Sequence, residues 1–445
     1  MTFRNTTAQT AARRNRRMRR IAGYCAIVGA FMLAPAGRLS AAAPNAVEQF
    51  QSLQQSLSHD RAQKDWRSYL ADAGRMRTFL NDSPLSNLEV ARAELQLGNI
   101  AEAAAATKRF LAMGQVNEIL KTPAFAQIRP GFDDTMIANR RPVSRAQSAF
   151  VISDTALLPE DIDYDSTSRR FFVTSILRKK IVTMDASGGE RDFAASPDHW
   201  PMVALKIDAK RRVLWATEVA FNGFAIVPKA DWGRSVLLEY DLDRGTLLTR
   251  IEGPRNGNLG DMVLADGGDP VVSDGDGGGI YRVHDRRLDR IDHGDFVSPQ
   301  TLAICRNSNT AFVPDYVRGT AMMNLATGSV RWLSTQGHYD LDGIDGLYCR
   351  GNLLIAAQNG ASPERVISFA LDGTSPAVVS QRVIERGSSL GDPTHGVFVG
   401  SEFYYIANSG WSSLDEHGVL NPSAALTPAR IMRFDLSEQT SGEVE

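Results

Sequence analysis

From residue 147 onward, short runs of Val, Ile, Leu, Phe and Tyr alternate with Gly, Asp and Asn turns, the pattern of an all-β domain. The runs recur in pairs. One member ends in a small or polar residue: Phe172-Val173-Thr174-Ser175, Val271-Val272-Ser273-Asp274, Phe312-Val313-Pro314-Asp315, Ala356-Ala357-Gln358-Asn359 and Tyr405-Ile406-Ala407-Asn408. The other follows it, as in Ile181-Val182-Thr183-Met184-Asp185 and Ile431-Met432-Arg433-Phe434-Asp435. Units start near Pro159, Met202, Gly260, Pro299, Ile344 and Pro393. Their spacing of roughly 40–60 residues is that of four-stranded propeller blades. Six starts predict a six-bladed β-propeller over residues 147–436. The last unit runs out of chain at its third strand, so Ala149-Phe150-Val151-Ile152 is expected to supply the missing outer strand and close the ring. Closure hides sheet edges that would otherwise be exposed. A solenoid or two stacked sandwiches is the alternative.

Residues 46–140 carry a different period. Trp66, Tyr69, Leu70, Ala73, Met76 and Leu80 recur at three and four, which places them on one helix face. Ser83-Pro84 punctuates the chain, and Asn87 to Leu97 and Ile100 onward form two arms rich in small residues about Gly98-Asn99. The pair resembles one tetratricopeptide-type hairpin. A stack needs about three repeats for stability, so the expectation is a small helical domain that packs against the propeller. Residues 132–145 read as a linker and residues 437–445 as a disordered tail.

The first 47 residues contain no Asp or Glu. Arginines cluster between Arg13 and Arg20, an apolar run spans Ile21 to Pro35, and Ser40-Ala41-Ala42-Ala43 follows. That order predicts a signal peptide over residues 1–42, cleaved near Ala42 or alternatively after Ala36, and a periplasmic or secreted protein. An Arg-rich transit peptide or uncleaved anchor is the other reading. The run is too short and too interrupted for a stable membrane span. Loss of the leader takes the chain from 49 basic and 51 acidic side chains to 41 and 51, a net charge of −10. An acidic chain without a basic stripe excludes nucleic acid as the expected partner. A monomer acting on a small molecule or a protein partner is expected. Cys305 and Cys349 remain, at nearly equivalent points of neighbouring blades. They could bridge in an oxidising compartment, but a one-residue offset predicts that one side chain turns away.

In a propeller, the start of each innermost strand and the end of the second lie on the same face. The starts hold Glu160, Gly260-Asp261, Gln300, Asp345 and Thr394-His395. Carboxylates converging on one mouth repel each other unless a cation neutralises them, and oxygen donors suit Ca²⁺ or Mg²⁺. Asp315, Asn359 and Asn408 end second strands and are expected to form an outer polar ring that contacts substrate, together with Gly260 and His395. Asp274-Gly275-Asp276-Gly277-Gly278-Gly279 imitates half a calcium loop, but Asp285 stands where a bidentate Glu is needed, so it reads as a turn. The seven His show no zinc spacing. No nucleophile elbow, phosphate loop or dinucleotide fingerprint occurs.

Pro159-Glu160 before Tyr164-Asp165, Pro299-Gln300-Thr301-Leu302-Ala303 and Ile344-Asp345-Gly346-Leu347 resemble blade starts of the gluconolactonase and senescence-marker-protein (regucalcin) family. The resemblance covers residues 150–436. It implies a divalent metal held by a Glu, an Asn and an Asp, with the Asp assisting hydrolysis of a sugar lactone. Glu160 matches that Glu and Asp345 that Asp, while Gln300 replaces the Asn and reaches one methylene farther. A second family Asn, placed to contact substrate, becomes Gly260 beside Asp261. The expected metal ligands are thus Glu160, Gln300 and Asp345, and the expected proton acceptors Asp345 and Asp261. Two function classes follow: a metal-dependent hydrolase of a lactone or small ester, and a non-catalytic ligand- or protein-binding propeller.

Overall fold

The computed structural model describes residues 44–305, 309–373 and 375–436. The expected leader and tail lie outside the described residues. Four helices come first: α1 (Ala46–Gln63), α2 (Trp66–Phe79), α3 (Pro84–Leu97) and α4 (Ile100–Ala112). Asn45 and Glu48 cap α1 reciprocally. Ser83 caps α3, with Pro84 pre-set for its first turn. Gly98 ends α3 at φ +80°, a conformation that disfavours any side chain, and α4 starts at once. Each helix packs on the next, burying Tyr69, Ala73 and Met76 from α2 against Ala91, Phe110 and Leu111. The stretch expected as a linker contains a further helix, α5 (Asp133–Asn139). Asp133 and Asp134 favour its N-terminal turn, and buried Met136 anchors it.

Six sheets follow, antiparallel except where Ser334–Thr335 runs parallel to Ala377 and Val378 at the edge of the fifth. Their first strands are Pro159–Asp165, Met202–Asp208, Leu259–Leu264, Ala303–Ile304, Gly346–Arg350 and Gly396–Val399. These lie close to those of neighbouring blades around most of the ring and surround the channel. Blade 6 is completed by Gln147–Ile152, which pairs antiparallel with Ala429–Asp435. The ring therefore closes with the strand expected to close it. No helix among the described residues is long and apolar enough to cross a membrane.

The helices pack on the channel-mouth face. Val297, Tyr316 and Val317 from blade 4 belong to the helical core. The Arg318 guanidinium lies 4.1 Å from the Phe79 ring and 4.5 Å from the Trp332 ring, a cation–π contact on both sides. Beside it, Arg365 is fully buried with Asp340 at 3.2 Å. It also donates to the Met113 carbonyl at 3.3 Å. Gly114 has φ +76°, and a Cβ there would lie 2.6 Å from the Arg365 guanidinium, so only glycine lets the chain pass.

Cys305 and Cys349 form a disulfide with Cα atoms 5.2 Å apart, contrary to the expected offset. The ladder of blade 4 ends at Ile304. Cys305 lies beyond it, so strand alternation does not dictate where its side chain points.

Blades 1 and 2 are tied by Arg212, whose guanidinium meets both oxygens of buried Asp165 at 2.8 and 3.1 Å. Burial opposes ionisation of Asp165, but Arg212 and the Thr167 and Ser168 donors outweigh it and bring its pKa down to about 2. Asp165→Asn is expected to cost about 1–3 kcal/mol at neutral pH. The folded pKa is depressed, so this stabilisation is present above about pH 4 and is lost as pH falls through about 2. Urea unfolding should show wild type and variant converging over that range.

Candidate functional site

Loops before the first strands and after the second strands crowd one end of the channel, around a cavity of about 130 Å³. Its polar wall carries the carboxylates Glu160, Asp261, Asp276 and Asp345 with the amides Asn258 and Gln300. Its apolar wall carries Phe221, Phe224, Trp411 and Tyr316. Among the described residues, no Lys, Arg or His lines it.

Five of the residues expected at the site meet here: Glu160, Gly260, Asp261, Gln300 and Asp345. Each polar one is held from behind. The Trp411 indole donates to Glu160 Oε2. Asn359 Nδ2 donates to Asp345 Oδ2 at 2.6 Å, and Asn359 Oδ1 accepts from Tyr316 at 3.0 Å. Gln300 Nε2 turns back onto the Ser298 and Pro299 carbonyls at 3.1 and 3.2 Å. Gly260 carries no side chain, but Asn258 Oδ1 lies 3.4 Å from where a Cβ on Gly260 would sit. That oxygen is buried without a hydrogen-bond partner among the described residues. An asparagine thus reaches the cavity from two positions earlier in the chain.

Four expected substrate contacts lie elsewhere. Asp315 is buried in its own turn, where its carboxylate accepts the N–H groups of Val297 at 2.6 Å and Val317 at 3.1 Å. Asn408 accepts from the Arg430 N–H at 2.8 Å and lines a separate cavity beside blade 6. Asn359 stands behind Asp345, off the cavity wall. His395 is also off the wall, 1 % exposed. Strand ends on this face are so crowded that a polar side chain there caps the neighbouring backbone instead of facing the opening.

His395 links four blades. Its Nδ1 lies 2.7 Å from the Glu160 carbonyl, and its Nε2 lies 2.6 Å from Asp261 Oδ1 and 2.7 Å from Thr301 Oγ1. A carbonyl at one nitrogen and a carboxylate at the other both call for N–H donors, so the ring is an imidazolium. Burial opposes that charge, but Asp161, Asp261 and Asp345 overcome it and raise the pKa to about 10. His395 is therefore a fixed cation behind the cavity and cannot serve as a base at neutral pH. Lys206 is similarly engaged, 2.6 Å from Asp161.

Asp276 and the aromatic wall escaped the sequence reading. The Asp274–Gly279 run is a turn as expected, tied by Asp274 to the N–H groups of Asn258 and Gly277 at 2.7 and 2.8 Å. That turn delivers Asp276 to the cavity. Burial, then the Asp274 carboxylate, pushes the Asp276 pKa up to about 7 against a hydrogen bond from Asn258. Phe221 and Phe224 stand on the loop after the second strand of blade 2, and Trp411 on the corresponding loop of blade 6. The rings lie 4.9–6.3 Å apart, and Ala225 N–H donates to the His417 carbonyl at 2.8 Å. The available signal was that these two loops, both on the channel-mouth face, are longer than their counterparts and carry aromatics.

Fold and site define a six-bladed propeller with an acidic, aromatic-walled cavity at its channel mouth. No known protein family matches the chain, and no curated protein does. Solved propellers are similar to it. A calcium-binding regucalcin from Agrobacterium tumefaciens is 18% identical over 66% of this chain and 95% of its own, with a TM-score of 0.45. The PQQ-bound aldose sugar dehydrogenase of Streptomyces coelicolor is 13% identical over 66% of this chain and 96% of its own, TM-score 0.44. Virginiamycin B lyase of Staphylococcus aureus is 12% identical over 62% and 87%, TM-score 0.43.

Among the described residues, no three His, Cys, Asp or Glu side chains form a group able to hold a metal ion. An ion at this mouth would rest on two carboxylates, Glu160 and Asp345, with the Gln300 amide. In donor chemistry that set fits a hard divalent cation.

Proposed function

We propose that the chain is an exported propeller that hydrolyses a lactone or similar small ester with the help of a divalent cation. The observation that carries this reading is the convergence of Glu160, Gln300, Asp261 and Asp345 on one cavity that no basic side chain among the described residues lines. Glu160, Gln300 and Asp345 would hold the ion. When bound, it would supply Lewis-acid polarisation of the ester carbonyl and a more acidic water. Asp261 is the proton acceptor this arrangement favours over His395, whose two nitrogens are both engaged. The aromatic wall excludes water from the substrate's far side. The Cys305–Cys349 disulfide supports an oxidising compartment.

Calcium, magnesium or manganese is expected to raise the melting temperature relative to chelator, because the ion binds the folded chain and not the unfolded one. Asp345→Ala should abolish that rise together with lactone or ester hydrolysis. Identical melting in all three metals and in chelator sinks the metal reading. A non-catalytic ligand-binding propeller then takes its place, favoured by one observation: Asp261 already holds a cation, His395.

A further inference from the structure

We propose that Glu218 and Asp198 form a pH-sensitive joint between blades 2 and 1, closed while one proton lies between their carboxyl groups and loosened when it leaves. The inference uses neither the mouth carboxylates nor a metal, and it stands whether or not the chain is a hydrolase.

Glu218 lies near the end of the second strand of blade 2, Val213–Ala220, and is fully buried. Its Oε2 accepts from the Ser196 hydroxyl and from the Asp198 N–H at 3.3 Å. Its Oε1 is buried with no donor among the described residues. No Lys, Arg or His among them forms an ion pair with Glu218. What faces it is the Asp198 carboxyl, close enough for the two groups to hydrogen-bond. Two carboxylates only accept, so that contact forms only while one of them holds a proton. Arg250 decides which. Its guanidinium lies 2.5 Å from Asp198, which keeps Asp198 ionised and leaves the proton on Glu218. Burial raises the Glu218 pKa to about 7, with the Asp198 contact adding to it and the Ser196 hydroxyl opposing it. Burial also opposes ionisation of Asp198, but its bonds to Arg250 and Glu218 outweigh that and hold its pKa below the usual range. The other ionisable groups at the joint bring Glu218 no cation. Tyr240, whose buried hydroxyl has no partner among the described residues, is kept neutral by burial and by the two carboxyls. Arg234 lies over the Trp200 ring at 5.1 Å and pairs with Asp231 at 3.2 Å and Glu252 at 3.4 Å.

Position gives the joint its consequence. Ser196 and Asp198 belong to the segment that leads from blade 1 into Met202–Asp208, the first strand of blade 2. Ser196 Oγ also accepts the Trp200 N–H at 2.9 Å, so the segment is folded around the group that holds Glu218. In the strand that follows, Val203 lines the channel-mouth cavity. On the other side, the strand of Glu218 runs directly into Phe221 and Phe224, two rings of the aromatic wall. Ionisation of Glu218 places a second negative charge in a dehydrated site that holds one guanidinium, where like charges repel far more strongly than in water. The fold relieves that repulsion by letting segment 196–200 move out toward water, and the blade-2 wall of the cavity moves with it. The wall is therefore tighter below neutral pH than above it.

The test compares the wild-type mature chain with Glu218→Gln by urea unfolding between about pH 4.5 and about pH 8. The folded pKa of Glu218 is raised from 4.5 to about 7. Its stabilisation is therefore full below about pH 4.5 and is lost as pH rises through about 7. Asp163, Asp276 and His395 also have raised pKa values, so the difference between the two proteins isolates Glu218. Gln keeps the shape and a donor toward Asp198 but has no proton to lose. Across that range the unfolding constant of wild type, relative to the variant, should rise at least about tenfold. Hydrogen exchange, corrected for its intrinsic rate, should show Met202–Asp208 and the Phe221 loop opening more above neutral pH than below it in wild type. In Glu218→Gln the two conditions should be equal. Asp198→Asn keeps the test open if Glu218→Gln does not fold. It removes the charged partner, so the transition should move to lower pH. Parallel pH profiles for wild type and Glu218→Gln overturn the proposal, as does an Asp198→Asn transition at the wild-type pH. A stability difference without any change in exchange overturns it too, since the charge then loosens nothing.

Discussion

Asp340→Ala is expected to lower the unfolding free energy by about 3–5 kcal/mol, the cost of leaving a buried charge without its partner. Arg365 is 1 % exposed. Burial works to strip its proton, and Asp340 is the principal opposing charge. Its other partners are neutral: Gln358 Oε1 at 2.5 Å and the Met113 carbonyl at 3.3 Å. They satisfy hydrogen bonds but do not neutralise a guanidinium. Gln115 from the helical region also donates to Asp340 and accepts from the Ser362 N–H at 2.8 Å, so the same substitution loosens the join between helices and propeller. Limited proteolysis should cut the helical region of the variant sooner than that of wild type. The double variant Asp340→Ala with Arg365→Met should recover part of the loss, because removing both charges costs less than removing one. A loss under about 1 kcal/mol by urea unfolding would contradict the burial of this pair.

Removing the disulfide is expected to cost about 4 kcal/mol. The two cysteines are 44 residues apart, and a crosslink closing a loop of that size restricts the unfolded chain by about this much. Cys305→Ser with Cys349→Ser should reproduce the effect of reductant on wild type, and adding reductant to the double variant should change nothing further. Thiol titration of the denatured chain lacking residues 1–42 should find no free thiol before reduction and two after. Two thiols before reduction would contradict the crosslink.

The helical region bears on the site through one residue. Tyr316 belongs to the helical core, lines the cavity and donates to Asn359, which in turn holds Asp345. Packing of α1 to α4 is thereby connected to the position of a carboxylate at the channel mouth.

Much of the site was legible because propeller geometry maps chain position onto place. A polar residue at the start of a first strand must stand at the mouth, and Glu160, Asp261, Gln300 and Asp345 do. The rule for ends of second strands failed at Asp315, Asn359 and Asn408. There the side chains serve backbone donors or neighbouring residues within their own crowded turns. His395 obeyed the rule for position and not for exposure, since three acceptors from three other blades enclose it.

The number of blades, their order, the closing strand Gln147–Ile152 and the switch from helices to strands were determined by the sequence alone. Period-two alternation, three-four periodicity and turn residues are local, and a residue's neighbours within a few positions suffice to reveal them. The tertiary structure decided three things that local pattern does not contain. It brought the loops of Phe221 and Trp411 together as one aromatic wall across the ring from each other in sequence. It turned Cys305, freed from its ladder, toward Cys349. It set Asn258 beside Gly260, restoring an amide where the chain lacks one. The first two depend on distances between segments far apart in the chain, which exist only once six blades have closed around a channel; the third depends on the turn after the second strand of blade 3, where the Asp274 carboxylate holds the Asn258 N–H at 2.7 Å.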